Sequence, residues 1–69
     1  MTERLWPGAD GAPISCLEKL RTLEANEAEA RQVLQDAFED AILMGVDESA
    51  MRQIMAQLVD DLRSPKIRR

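Results

Sequence analysis

Apolar and polar residues recur at helical spacing through two stretches of the chain. In the longer stretch, apolar or small residues alternate in steps of three and four, at Leu20, Leu23, Ala30, Leu34, Ala37, Ala41 and Met44. This spacing is typical of a helix face that packs against a neighbouring helix, and Glu27 interrupts it once. Ser15 and Glu18 have the spacing of a capping box. The pattern predicts a helix from Cys16 to Met44, about 29 residues and roughly 43 Å long.

The second stretch is shorter and more regularly amphipathic. Its apolar positions follow the i, i+3, i+4 and i+7 pattern, at Met51, Ile54, Met55, Leu58, Val59 and Leu62. The pattern predicts a helix from Glu48 to Leu62, roughly 22 Å long. Pro65 prevents further helix because it lacks a backbone N–H donor.

A tight corner is predicted between the two helices. Gly45 can adopt the left-handed conformation that often follows a last helical turn. Asp47 can accept a hydrogen bond from a free backbone N–H at the start of the next helix. Val46 and Met51 have the spacing of a hydrophobic staple. The expected fold is therefore all-α, a two-helix antiparallel hairpin with a long first helix and a shorter second one.

The chain ends lack this periodicity. Residues 1–14 contain Pro7, Gly8, Gly11 and Pro13 and are expected to form a flexible N-terminal arm. Within it, the indole of Trp6 is expected to rest on nearby apolar surface. The predicted organisation is this arm, a helical hairpin over 15–63, and a basic C-terminal tail over 64–69.

The core of a 69-residue chain seldom contributes more than about 3–5 kcal/mol, so chains of this size usually add a disulfide, a metal or a partner subunit. An intrachain disulfide is excluded because Cys16 is the only cysteine. The sequence has no histidine and no second thiol, so neither a metal site nor a cofactor is expected. Support from a second subunit is the remaining option.

The helix lengths favour the same conclusion. The second helix would cover only part of the first and leave roughly 20 Å unmatched, with Leu17, Leu20 and Leu23 lacking a partner in the chain. A second copy would cover them in a homodimeric four-helix bundle. The predicted dimer interface consists of Leu17, Leu20, Leu23, Ala30, Leu34, Phe38, Ile42, Met55, Leu58 and Leu62.

Charges are distributed unevenly, although the formal net charge is only −4. Residues 24–48 hold eight acids and one base, and residues 63–69 hold four bases and no acid. The simpler interpretation is two solvated surfaces. The functional interpretation is a docking surface for another protein, formed by Asp36, Glu39, Asp40, Arg52, Arg63, Lys66, Arg68 and Arg69.

Residues 41–54 also have spacing similar to that of a DNA-binding helix-turn-helix. The second helix of such a motif approaches phosphates with its N-terminal residues, where this chain has Asp47 and Glu48. Nucleic acid is therefore disfavoured as a partner, and a nucleic-acid-binding helical dimer is kept as the alternative function.

Catalysis has little support in the sequence. Cys16 is expected in the first turn of a helix, where a thiol becomes more reactive, but no base or second cysteine accompanies it. The sequence has no phosphate-binding loop and no apolar run long enough for a membrane span. The expectation is a non-enzymatic, cytoplasmic adaptor, accessory or regulatory protein that self-associates and binds a protein partner through helix faces.

Overall fold

The computed structural model describes residues 4–66, which form two α-helices. Helix α1 spans Leu17–Leu43 and helix α2 spans Glu48–Asp60, with 27 and 13 residues respectively. Over residues 4–66 there is no β-strand, only an isolated antiparallel bridge between Pro7 and Pro13. The predicted all-α hairpin with a long first helix is confirmed, whereas its dimerisation into a four-helix bundle stays a prediction.

The chain divides into two compact units. The N-terminal unit is Met1–Gln32 and the C-terminal unit is Val33–Arg69, so helix α1 contributes to both. Neither helix combines the length and apolar character needed to cross a membrane, within the residues that the structure describes.

In the N-terminal unit, the segment before α1 turns back on itself. The backbone N–H of Gly8 donates to the Ala12 carbonyl at 2.7 Å, and that of Ile14 donates to the Trp6 carbonyl at 2.7 Å. Gly11 lies at φ +90°, a left-handed conformation that a residue with a side chain rarely adopts. The described part of the predicted arm therefore has irregular backbone closed by its own hydrogen bonds.

Helix α1 begins at Leu17, one residue later than predicted. Cys16 rather than Ser15 is thus the residue before the first helical position, and its carbonyl accepts a hydrogen bond from the Leu20 N–H at 2.9 Å. The backbone N–H groups of Lys19 and Glu18 donate to the Cys16 side chain. The Cys16 thiol therefore accepts hydrogen bonds at the start of α1, where the sequence pattern predicted that the Ser15 hydroxyl would do so.

In the C-terminal unit, α1 ends at Leu43 in a glycine-terminated turn. Gly45 lies at φ +102°, and its N–H donates to the Ile42 carbonyl at 3.0 Å. The N–H of Val46 donates to the Ala41 carbonyl at 2.9 Å. These two bonds form a Schellman motif, which satisfies carbonyls that the end of the helix leaves unpaired.

Helix α2 begins as predicted and ends earlier. The Asp47 side chain accepts a hydrogen bond from the Ala50 N–H at 2.9 Å, so the predicted N-cap is confirmed. At the other end, the Leu62 N–H donates to the Val59 carbonyl, three residues back, at 3.1 Å. This tighter turn ends the helix at Asp60, before the predicted Leu62.

Very little of the chain is buried. Ala41, at 7% exposure, is the only buried residue among residues 4–66. It lies where the Schellman turn brings Val46 back to α1, and Ile42, Met51 and Met55 nearby are half-buried. The small side chain of Ala41 permits this close approach of the backbone.

Candidate functional site

Helix α2 contacts α1 near the corner between them. The guanidinium of Arg52 lies 4.8 Å from the centroid of the Phe38 ring, a cation–π contact. Ala50, Met51 and Met55 are half-buried. The covered residues of α2 therefore lie in its part nearest the corner, up to Met55.

Further along α2 the apolar stripe is exposed to solvent. Ile54 is 50% exposed and Leu58, one turn later, is 56% exposed. Val59 and Leu62 are also exposed, at 58% and 77%. A line of apolar side chains thus extends over the second half of α2 and just beyond it.

The corner between the helices carries further exposed apolar surface. Leu43 and Met44 are 85% and 78% exposed. The prediction that Met44 belongs to the packed face of the first helix is wrong, because α1 ends at Leu43 and Met44 lies in the turn.

In the N-terminal unit, Trp6 packs against α1 residues. Trp6 and Ile14 line one groove together with Leu23 and another together with Leu20. All four side chains are half-buried. The expectation that Leu20 and Leu23 lack a partner within the chain is therefore wrong, because the folded segment before α1 covers them in part. Leu17 stays 60% exposed.

An ion-pair cluster holds this segment on α1. Arg4 donates two hydrogen bonds to the Glu27 carboxylate, from Nε at 2.9 Å and from Nη2 at 2.5 Å. Arg31 donates a third at 2.6 Å. Bonds from Arg4, and then from Arg31, hold the pKa of Glu27 below its ordinary value. Glu27 therefore interrupts the apolar pattern of α1 at the point where it binds the segment before the helix.

Arg4 also lies 5.5 Å from the centroid of the Trp6 ring. The indole Nε1–H is buried without an acceptor among the described residues. The sequence analysis expected the Trp6 indole to rest on nearby apolar surface but missed the role of Arg4. The signal that could have indicated Arg4 was Glu27, the single acid within the apolar pattern of α1.

The predicted dimer-interface residues fall into two groups. Half-buried within the chain are Leu20, Leu23, Phe38, Ile42 and Met55. Exposed are Leu17, Ala30, Leu34, Leu58 and Leu62. Ile54 was not among the predicted residues, although its position one turn before Leu58 could have indicated it. The exposed group remains available to a partner, and no part of the structure tests the dimer itself.

The predicted partner-binding residues lie on several surfaces of the described chain. Every described member is exposed, namely Asp36, Glu39, Asp40, Arg52, Arg63 and Lys66. Glu39 accepts a hydrogen bond from Gln35 at 2.8 Å, and Arg52 donates to Glu48 at 3.1 Å. Arg68 and Arg69 lie outside the described residues.

The thiol of Cys16 is perturbed by its position at the start of α1. Hydrogen bonds from the backbone N–H of Lys19, and then of Glu18, lower the pKa of its exposed thiol. In residues 4–66, no group of three or more His, Cys, Asp or Glu side chains is placed to hold a metal ion. The most extensive candidate surface is accordingly the exposed apolar one, whose chemistry is that of protein contacts.

No protein-family model matches the chain, and no similar protein was found among curated sequences or solved structures. Function is therefore inferred from the residues and their geometry.

Proposed function

We propose that this chain is a small, non-enzymatic interaction module that self-associates and binds another protein through its helix faces. The observation that carries the proposal is the low burial of its apolar side chains. Among residues 4–66 only Ala41 is buried, whereas Ile54, Leu58, Val59 and Leu62 are each at least half exposed.

The exposed apolar surface gives association a hydrophobic driving force. Complete burial of the exposed fractions of these four side chains would contribute about 4–7 kcal/mol per protomer, from which the entropic cost of association is subtracted. A core in a chain of this size seldom contributes more than about 3–5 kcal/mol. The gross apolar contribution is therefore comparable with that of the core, and a bound partner would stabilise the folded hairpin by mass action.

The charge pattern supports a protein partner over nucleic acid. Asp47 caps α2 and Glu48 follows it, so the end of α2 that would approach a phosphate backbone carries two acids. Exposed acids along α1 add to this charge, including Asp36, Glu39 and Asp40. A nucleic-acid-binding dimer remains the alternative, and it predicts binding to DNA or RNA that weakens steeply with added salt.

The test is the mass of the full chain by analytical ultracentrifugation across a concentration series. We expect a dimer, and Leu58→Asp should shift the equilibrium toward monomer because it would bury an unpaired charge. Leu43→Asp is the matched control, since Leu43 is more exposed and lies outside the α2 line. Circular dichroism of each variant checks that the helices persist.

A monomer of the unmodified chain at high micromolar concentration would contradict self-association. Equal effects of the two substitutions would show that the α2 line is not the associating surface. An activity that is lost in Cys16→Ser would instead indicate an enzyme.

A further inference from the structure

We infer that residues 4–14 form a lid on the first part of α1, which swings about Ser15 and is latched at its far end by Arg4. Opening the lid uncovers Leu20 and Leu23 on α1. All of these residues belong to the N-terminal unit, so the lid is independent of the proposed self-association.

The lid keeps its shape through its own hydrogen bonds. The Gly11 N–H donates to the Gly8 carbonyl at 3.0 Å, and the Ala12 N–H donates to the Asp10 carboxylate at 3.0 Å, in addition to the two backbone bonds that close the loop. Among the described residues, no backbone hydrogen bond joins the lid to α1. Moving the lid away from the helix would therefore break none of the bonds that shape it.

Side chains fasten the lid to α1. Trp6 and Ile14 supply apolar contact, and Arg4 donates two hydrogen bonds to the Glu27 carboxylate. Burial of the indole favours the closed position, whereas its Nε1–H, buried without an acceptor among residues 4–66, opposes it. These two contributions of the indole are of similar size, so a weak ion pair is enough to shift the balance.

Arg31 lowers the cost of opening. Its Nη2 donates to Oε2 of Glu27, the same oxygen that accepts from Nη2 of Arg4. When Arg4 leaves, Glu27 keeps a cationic partner on its own helix, four residues away. The carboxylate is thus paired in both positions of the lid.

Other charged side chains lie beside the lid and cancel in pairs. Arg21 and Glu24 line the groove that contains Arg4, and Glu18 and Lys19 line the other groove beside the indole. The described hydrogen bonds between the lid and α1 involve none of these four residues. The latch is therefore the bond from Arg4 to its own acceptor on α1.

The hinge and the latch lie at opposite ends of the lid. Ser15 lies between the lid and α1, and the described backbone bonds of Ile14 and Cys16 fall on either side of it. Glu27 is ten residues after Leu17, which places it roughly 15 Å along α1 from the start of the helix. A lid with this arrangement opens by releasing one distant bond.

The first test is acrylamide quenching of Trp6, the only tryptophan in the chain. Arg4→Gln removes the latch and should raise the quenching constant. Arg31→Gln is the matched control, because it removes the same charge beside Glu27 and leaves the Arg4 bonds in place, so its quenching constant should equal that of the unmodified chain. Equal changes in the two variants, or no change in Arg4→Gln, would overturn the latch.

The second test is maleimide labelling of Leu23→Cys in a Cys16→Ser background. Adding Arg4→Gln should speed labelling about two- to fivefold, the range expected when a surface ion pair is lost. Val33→Cys, which is exposed outside the N-terminal unit, should label at the same rate with and without Arg4→Gln. Faster quenching without faster labelling of Leu23→Cys would show that the indole moves while α1 stays covered, which overturns the lid.

The third test asks whether the lid moves as one body. Pro7 and Pro13 face each other in the antiparallel bridge, so Pro7→Cys with Pro13→Cys in the Cys16→Ser background can close a disulfide across the loop. The locked lid should still respond to Arg4→Gln with the same rise in quenching. Loss of that rise would mean that the loop must unravel to leave α1, and the lid would be overturned.

Protein concentration separates the lid from the proposed function. The quenching and labelling changes should be the same at low and high micromolar concentration, because the lid opens within one chain. Changes confined to the high concentration would overturn the lid. A monomeric chain with the expected changes would instead overturn self-association and support the lid.

Discussion

The two units cover helix α1 by different physical means. In the N-terminal unit, a non-helical segment lies on α1 through an indole and a surface ion pair between Arg4 and Glu27. In the C-terminal unit, a second helix is directed onto α1 by a Schellman motif at Gly45 and an N-cap at Asp47. The first arrangement includes an ion pair between distant residues, whereas the second uses a turn and a cap formed by neighbouring residues.

This difference indicates which perturbation should destabilise each unit. An ion pair at the surface contributes little free energy, because water and salt screen it. It responds to pH because its carboxylate can be protonated. A glycine-terminated turn is insensitive to pH but tolerates few residue types. The two units should therefore respond to different substitutions and to different changes in pH.

The largest effect is expected for Ala41→Leu. Ala41 is the one buried residue among those described, and extra methylenes there would force the α1 backbone and Val46 apart. We expect a loss of about 1–3 kcal/mol in the free energy of unfolding, measured by urea denaturation. Ala30→Leu is the matched control in the N-terminal unit, where the side chain is exposed and the change should stay within about 0.5 kcal/mol. Similar losses in both variants would show that the C-terminal unit has no special dependence on a small residue.

A smaller effect is expected from alanine at the two left-handed glycines. A Cβ at Gly45 would meet no atom within 4 Å, so the loss of about 1–2 kcal/mol expected for Gly45→Ala is conformational. Gly11→Ala creates the same strain at φ +90° in the N-terminal unit. There we expect a shift in Trp6 fluorescence with the helix signal in circular dichroism unchanged. A loss of helix signal from Gly11→Ala would contradict the separation of the two units.

The smallest effect is expected from the pH dependence of the Arg4–Glu27 pair. The pKa of Glu27 is lower in the folded chain than its ordinary value, so the pair stabilises the fold fully above that value. This contribution is lost as the pH falls through the folded-state pKa, which lies below the ordinary value for a glutamate. Trp6 fluorescence should therefore stay constant from pH 7 to 5 and change at lower pH.

Glu27→Gln should show the low-pH fluorescence already at pH 7. Glu29→Gln is the matched control, because Glu29 is an exposed glutamate two residues along the same helix. An unchanged titration in Glu27→Gln would mean that the ion pair does not hold the segment before α1.

The corner was predictable from sequence because its interactions are local. Each hydrogen bond that shapes the corner joins residues no more than five positions apart along the chain. Glycine is the residue that best tolerates the left-handed turn, and aspartate is among the best N-caps. The helix ends were less predictable. Cys16 replaced Ser15 as the capping residue, and both helices ended earlier than their apolar patterns indicated.

The covering of α1 by the segment before it was not predictable in the same way. Arg4 and Glu27 are 23 residues apart, and the sequence offers several acids to which an arginine could bind. The expectation that Leu20 and Leu23 lack a partner within the chain was wrong for this reason. The candidate surface was predicted in part, since Leu58 and Leu62 belonged to the expected interface and Ile54 did not.

By itself, the sequence determined two helices, the corner between them and the excess of apolar side chains on their faces. Periodicity and capping depend on residues a few positions apart, so the local sequence is enough to specify them. Only the tertiary structure decided which apolar side chains are covered within the chain and which remain for a partner. That outcome depends on contacts between distant residues, such as Trp6 on α1 and Arg52 on Phe38, and no local rule specifies them.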